Sequence, residues 1–206
     1  MFGISFEVLI SFALASAVIE LTPGPNMAYL AVLAATEGRR SGYAAVAGVA
    51  LGLLIIGLAT ALGLAAVINA SPVLFQVLRW SGVLYLLWLA WDAWRDEVKE
   101  ENEYAISDAR YFRRGLYVNL LNPKAGVFYV VMLPVFVDPA QPVVAQTVAL
   151  SLVFVLVATV IHAGIVTLAG SVQSIMGTPE HRQKTRRVLA IVLVLIAIWF
   201  GWSTRG

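Results

Sequence analysis

Six apolar segments, at about 5–36, 41–68, 72–94, 112–137, 143–175 and 188–204, occupy the chain almost end to end. Each is close to or longer than the ~20 residues with which an α-helix crosses hydrocarbon. Nothing in the sequence constrains the fold more. A backbone in lipid must satisfy its own polar groups, so apolar runs of this length read as helices. Charge points the same way: 13% of the 206 residues are charged and 60% are hydrophobic, against about a quarter charged in a soluble domain. The sequence predicts an all-α polytopic membrane protein, one transmembrane domain over residues 1–206.

The basic residues give an orientation. Arg39 and Arg40 follow the first segment. Arg95, Lys99, Arg110, Arg113 and Arg114 surround the third loop, and Arg182, Lys184, Arg186 and Arg187 lie in the fifth. These are eleven of the 14 Lys and Arg residues, and all fall on one face of a six-span topology. The positive-inside rule makes that face cytoplasmic and puts both termini outside. The net charge of +2 therefore reflects topology, and no nucleic-acid partner is expected. The acidic run RDEVKEENEY (95–104) reads as a solvated connector. The first segment is expected to be retained as a helix rather than cleaved, because no Lys or Arg precedes it and Glu7 stands where a signal peptide carries positive charge.

The two halves of the chain echo each other. ELTPGPN (20–26) superposes on LLNPKAG (120–126), placing Pro23 on Pro123. Trp91 and Trp94 likewise match Trp199 and Trp202, both pairs at helix ends where aromatic rings favour the membrane interface. An odd number of crossings reverses direction, so two three-helix repeats, about 1–104 and 105–206, would be inverted. Inverted repeats with corresponding broken helices point to a transporter site.

Pro23 and Pro25 remove donors for the carbonyls of Ile19 and Leu21, and Pro123 does so for Asn119. Such breaks survive in a membrane beside protein or a hydrated cavity. Beyond the first break, the amides of Asn26, Met27 and Ala28 would open a half-helix whose positive end suits a carboxylate. Glu20, one turn before, is a cation seat or proton carrier, and Lys124 is its buried basic counterpart. Thr22, Asn26, Asn119 and Asn122 add neutral donors and acceptors at the same depth. Together these groups suit a small zwitterion such as an amino acid. A structural reading stands beside this one, in which the prolines only kink their helices and Glu20 and Lys124 only tie the halves together.

Gly48 and Gly52 form a GxxxG pair in the second segment. With Ser41, Ala45, Ala59 and Gly63 they fall on one arc at ~100° per residue, a helix-packing stripe, while Gly57 points away from it. His162 is either a satisfied core histidine or a proton relay. The chain has no cysteine, and His162 and His181 are too far apart for helical metal ligation, so no metal or cofactor is expected.

At these residues the sequence resembles the lysine-exporter superfamily, in particular its homoserine/threonine-exporter (LysE/RhtB) branch. TPGPN (22–26), LRWSGVLYLLWLAWDAWR (78–95) and RRGLYVNLLNPKAGVFYVVMLPVFVDP (113–139) carry the resemblance, which extends over essentially the whole chain. It implies a bacterial inner-membrane secondary exporter of amino acids or close derivatives, driven by the proton gradient, with motif positions at Pro23, Gly24, Pro25, Asn26, Asn122, Pro123 and Lys124. Val135 departs from the glutamine typical of relatives, and Glu20 is not typical of the branch. Both bear on the substrate.

Two other function classes account for the sequence less well. A lipid-acting membrane enzyme would need a catalytic cluster near one membrane face, and Asp92, Asp138 and His162 are scattered along the chain. A packing or channel-like module would leave the paired breaks unexplained. The expected partners are a small zwitterion and the lipid bilayer, with homo-oligomerisation left open.

Overall fold

The computed structural model describes residues 3–63, 72–95, 104–175, 187–188, 190–195, 197–199 and 202. Six helices cover most of them: α1 (Phe6–Leu21), α2 (Pro25–Ala61), α3 (Pro72–Arg95), α4 (Tyr104–Leu120), α5 (Pro123–Val127) and α6 (Val143–Ile175). A shorter apolar helix, α7, spans Ala190–Trp199. No strand occurs among the described residues.

Ser5 starts α1, its hydroxyl accepting from the Val8 amide at 3.3 Å. The helix stops at Leu21, and Thr22 and Gly24 are extended before α2 begins at Pro25. Proline suits that first position, where its missing N–H costs nothing. Within α2 the chain reverses at Gly38 (φ 86°, ψ 174°). A Cβ placed on Gly42 would lie 3.2 Å from the Ala34 Cβ, although eight residues of straight helix span ~12 Å. Residues 25–37 and 39–61 are therefore two rods lying back to back. Only glycine adopts this φ without strain.

Two helices among the described residues are long and apolar enough to cross a membrane, α2 and Val143–Ser171 of α6. A third span arises if Asp108–Leu120 and Pro123–Phe136, bent by 51°, are taken together. Six spans were expected. The 16-residue α1 reaches only ~24 Å by itself, and the tip after 63, the third loop and most of 176–189 lie outside the described residues. Basic residues that fall there (Lys99, Arg182, Lys184, Arg186) and Arg205 are likewise outside them.

Burial is distributed as lipid requires. Phe6, Ile10, Leu14, Val18 and Leu21 form an exposed stripe on α1, and Leu152, Leu156, Val160 and Leu168 form one on α6. Ser16, Glu20, Asn26, Asn119, Asn122, Gln146, Thr147, Ser151 and His162 are buried. Apolar side chains facing out and polar ones facing in is the pattern of a chain solvated by hydrocarbon. Rings of Phe12, Phe128, Phe136 and Phe154 join α1, the segment after α5 and α6, with Phe128 stacked on Phe154 at 3.8 Å between centroids.

The glycine stripe packs α2 on α4. A Cβ on Gly48 would fall 2.0 Å from the Phe112 carbonyl oxygen, and one on Gly115 would fall 2.1 Å from that of Ala45. Gly52 faces the Asn119 side chain. Gly63 stands apart from the other two. It follows the end of α2 at φ 95°, a conformation that closes a helix, with no described atom within 4 Å of its Cβ position. Gly57 points away from the stripe as expected, but there it meets Ser151 and Tyr129.

The basic residues near 39–40 and 110–114 gather at one end of the bundle. Arg39 donates to the Thr167 carbonyl and Ser171 hydroxyl of α6, Arg40 pairs with Asp108 at 2.9 Å, and Asp92 accepts from both Arg110 and Arg114. Arg114 also covers Trp88, and Arg187 covers Trp94. The ends of α3 and α6, the start of α4 and the Gly38 reversal thus share one side.

Candidate functional site

Both prolines end their helices by the same local device. The carbonyl of Ile19, deprived of a donor by Pro23, is taken by the Thr22 amide at 3.1 Å. That of Asn119, deprived by Pro123, is taken by the Asn122 amide at 3.0 Å. These two carbonyls were expected to be free, and a tightened last turn recaptures them. The Thr22 hydroxyl takes one more carbonyl, that of Val18. The backbone oxygen put to long-range use is that of Thr22 itself.

Restarting the helices differs at the two breaks. Asn122 caps α5, its Oδ1 accepting from the Lys124 amide at 3.0 Å. This is a local capping role for a residue singled out as a site candidate. Gly24 has no side chain with which to cap α2. Of the three amides expected there, that of Ala28 is satisfied by the Gly24 carbonyl, leaving Asn26 and Met27 at the positive end of the helix.

The two breaks meet. Lys124 Nζ donates to the Thr22 carbonyl at 2.7 Å, and Asn26 Nδ2 donates to Asn119 Oδ1 at 2.8 Å. A Cβ on Gly24 would touch the Lys124 side chain at 3.2 Å, so the absence of a side chain at Gly24 lets the lysine lie across the start of α2. Pro123 is buried among these groups, whereas Pro23 and Thr22 are exposed. Pro25, Val118 and Leu121 pack against Gly82, Tyr85 and Leu86 of α3 along a seam with no room for a water molecule.

Glu20 does not pair with Lys124. Its Oε2 stands 3.2 Å from His162 Nε2, both side chains almost fully buried. The two atoms are within ion-pair range, but the ring N–H is not aimed at the oxygen, and Nε2 makes no well-formed hydrogen bond. Lys124 and Tyr129 both lie within reach of the Glu20 charge. Tyr129 donates to the Leu53 carbonyl at 2.8 Å, beside Ser151. The centre therefore holds an acidic residue from α1, a histidine from α6, a lysine from α5 and two carboxamides from α2 and α4.

Sequence reasoning missed two features. Tyr129 and Ser151 gave no signal, being one aromatic and one hydroxyl among many in apolar segments. The irregular turn after α5 had one. Pro134 lacks the N–H that would bond the Val130 carbonyl, and the chain answers with a wide π-turn over Phe128–Met132 and a tight 3₁₀ turn over Leu133–Phe136. Such turns recur at functional sites. No group of three metal-ligating side chains occurs among the described residues.

Two interrupted helices apposed at a buried polar centre, in a bundle whose outer surface is apolar, define a multi-pass membrane transporter. The chain belongs to the LysE type translocator family, whose model matches residues 17–204, and it is thus a translocator rather than an enzyme. It is 28% identical over 195 residues to a homoserine/homoserine lactone efflux protein of Salmonella typhi, covering 93% of this chain and 95% of that one. The corresponding protein of Salmonella typhimurium strain LT2 is 29% identical with the same coverage. An uncharacterized membrane protein of Vibrio cholerae is 27% identical over 177 residues, 84% of this chain and 86% of its own. No solved structure matches.

Proposed function

We propose that this protein is a proton-coupled exporter of neutral amino acids or close derivatives, homoserine- and threonine-like molecules among them, in the bacterial inner membrane. Six spans in two inverted three-helix repeats, with both termini outside, form the framework. The observation that carries the reading is the meeting of the two breaks, Lys124 on the Thr22 carbonyl at 2.7 Å and Asn26 on Asn119 at 2.8 Å, with Glu20 and His162 buried alongside.

The substrate carboxylate binds Lys124 and the uncapped start of α2 at Asn26 and Met27, where charge and orphan amides favour an anion. Its ammonium group binds Glu20 and the Thr22 carbonyl. In the absence of substrate, His162 occupies the space beside Glu20 and Lys124 holds the Thr22 carbonyl. An arriving ammonium competes for both acceptors, so proton and substrate exclude each other at one carboxylate. That exclusion makes the exchange an antiport. Movement of one three-helix unit against the other exposes the centre to each side in turn.

The test is efflux from proteoliposomes loaded with homoserine or threonine, under an imposed proton gradient. Export is expected to follow the gradient and to be lost in Glu20→Gln, His162→Leu and Lys124→Met. Wild-type rates in Glu20→Gln and Lys124→Met would remove both residues from the mechanism. Flux indifferent to the gradient would remove the coupling.

A further inference from the structure

Beyond Asn26, the residues Tyr29, Leu33 and Glu37 continue along one face of the 25–37 rod, each three or four places after the last. This face runs from the buried centre to the basic end of the bundle. Tyr29 and Leu33 are only 3% and 5% exposed. The Tyr29 hydroxyl is buried with no partner among the described residues, which forfeits roughly the whole of its desolvation. Any rearrangement that admits water to this face would relieve that cost.

Three links shut the face at its basic end. Glu37 accepts from the Tyr111 hydroxyl of α4 at 3.0 Å. Arg40, just past the Gly38 reversal, pairs with Asp108 of α4 at 2.9 Å. Towards α6, Arg39 donates to the Thr167 carbonyl at 3.2 Å and to the Ser171 hydroxyl at 2.8 Å. Each link joins the first three-helix unit to the second. At the opposite end, the bonds between Gln146 and Asp138 stay inside the second unit. The links are also of a kind that exchanges readily. The Arg40 side chain is 65% exposed, so water screens its pairing. Asp108 uses one carboxylate oxygen on it, and the other has no partner among the described residues.

We infer that Glu37 with Tyr111, Arg40 with Asp108, and Arg39 with Thr167 and Ser171 form the inner gate of this transporter. The Tyr29–Leu33 face beneath them is the substrate's route between the cytoplasm and the centre. The inference rests on the exporter reading, which makes the basic end cytoplasmic and lets one unit move against the other. Opening the gate parts the two units at that end, breaks the three links and wets the Tyr29 hydroxyl. The links favour the closed state and the orphan hydroxyl favours the open one. Affinity measured from the cytoplasm is reduced by the fraction of molecules that are closed. A weakened gate therefore binds substrate better from that side, an effect that a merely structural cluster does not have.

The chain contains no cysteine, so Leu33→Cys supplies a single reporter. A membrane-impermeant maleimide reads it in inside-out vesicles, whose outer surface is the cytoplasmic face. Labelling should be slow in that background and about threefold faster or more with Arg40→Ala or Tyr111→Phe. Tyr111→Phe removes one hydroxyl and keeps the ring, so it is expected to fold. Without the reporter, both substitutions should lower the KM for homoserine uptake into such vesicles by a similar factor. Tyr29→Phe removes the orphan hydroxyl and should do the reverse, slowing labelling and raising KM. Exchanging the charges, Arg40→Asp/Asp108→Arg, should restore protection. Unchanged labelling and KM in Arg40→Ala and Tyr111→Phe proteins that still export homoserine would overturn the gate and leave the exporter reading standing. Faster labelling in Tyr29→Phe would also overturn the gate. Export of neither homoserine nor threonine by the wild type overturns both.

Discussion

A methyl group added at Gly48 would have to occupy space that the Phe112 carbonyl already fills. The new carbon would stand 2.0 Å from that oxygen and 2.8 Å from the Leu116 nitrogen, whereas a carbon–oxygen contact relaxes at roughly 3.3 Å. The shortfall is about 1.3 Å. Both obstructing atoms are main chain, so no rotamer change relieves it and α2 must move away from α4. Gly115 poses the same problem from the opposite helix, 2.1 Å from the Ala45 oxygen. Overpacking of this kind costs about 1–3 kcal/mol, and a clash between two backbones belongs at the upper end. The effect reaches the site, because Asn119 lies one turn beyond Gly115. Separating the 39–61 rod from α4 would release the Asn119 side chain from its packing on Gly52. Reversible unfolding in mixed micelles, measured for Gly48→Ala, Gly115→Ala and the double variant alongside export, tests this. Both methyl groups demand one displacement, so the double variant should cost clearly less than the two singles added. Gly164→Ala is the control, with no described atom within 4 Å of its Cβ position, and should be neutral or stabilising. Additive losses, or a Gly48→Ala cost below about 0.5 kcal/mol, would refute the seam.

Two further substitutions probe the ends of the bundle. Asp92→Asn leaves Arg110 and Arg114 facing each other without their shared carboxylate, which is a quarter exposed; a loss of about 2 kcal/mol in unfolding free energy is expected, and an unchanged melting curve would show that the cluster contributes nothing. Gln146→Leu removes a side-chain amide that both accepts from the Asp138 amide at 3.0 Å and donates to its carbonyl at 2.8 Å. It should cost about 1–3 kcal/mol and speed proteolytic cleavage within 137–142, whereas cleavage at the wild-type rate would argue against a latch.

How far the site was legible varies residue by residue. Gly48 and Gly52 were readable as a packing stripe because helical periodicity alone brings them to one face, yet nothing in that periodicity said the facing helix would be α4. Gly63 shares their arc but lies at the helix end, where backbone closure sets its conformation. Glu20, Lys124 and His162 were readable as charged or titratable groups at buried depth. That Glu20 would face His162, and Lys124 the Thr22 carbonyl, was not readable, because side-chain pairing depends on how each rod is rotated. The Gly38 reversal was hidden inside a segment boundary, and Tyr129 inside an apolar run.

The sequence by itself determined the class of protein and the places where its helices must yield. Hydropathy fixes which segments prefer hydrocarbon, and a proline without an N–H forces the hydrogen-bond ladder to change wherever it stands. Only the tertiary structure decided what those interruptions are for. Helix rotation, the close approach that the glycines allow and the 51° bend between Asp108–Leu120 and Pro123–Phe136 are collective results of packing. They bring Asn26 to Asn119 and Lys124 to Thr22 across 93 and 102 residues of chain, a separation over which no local pattern carries information.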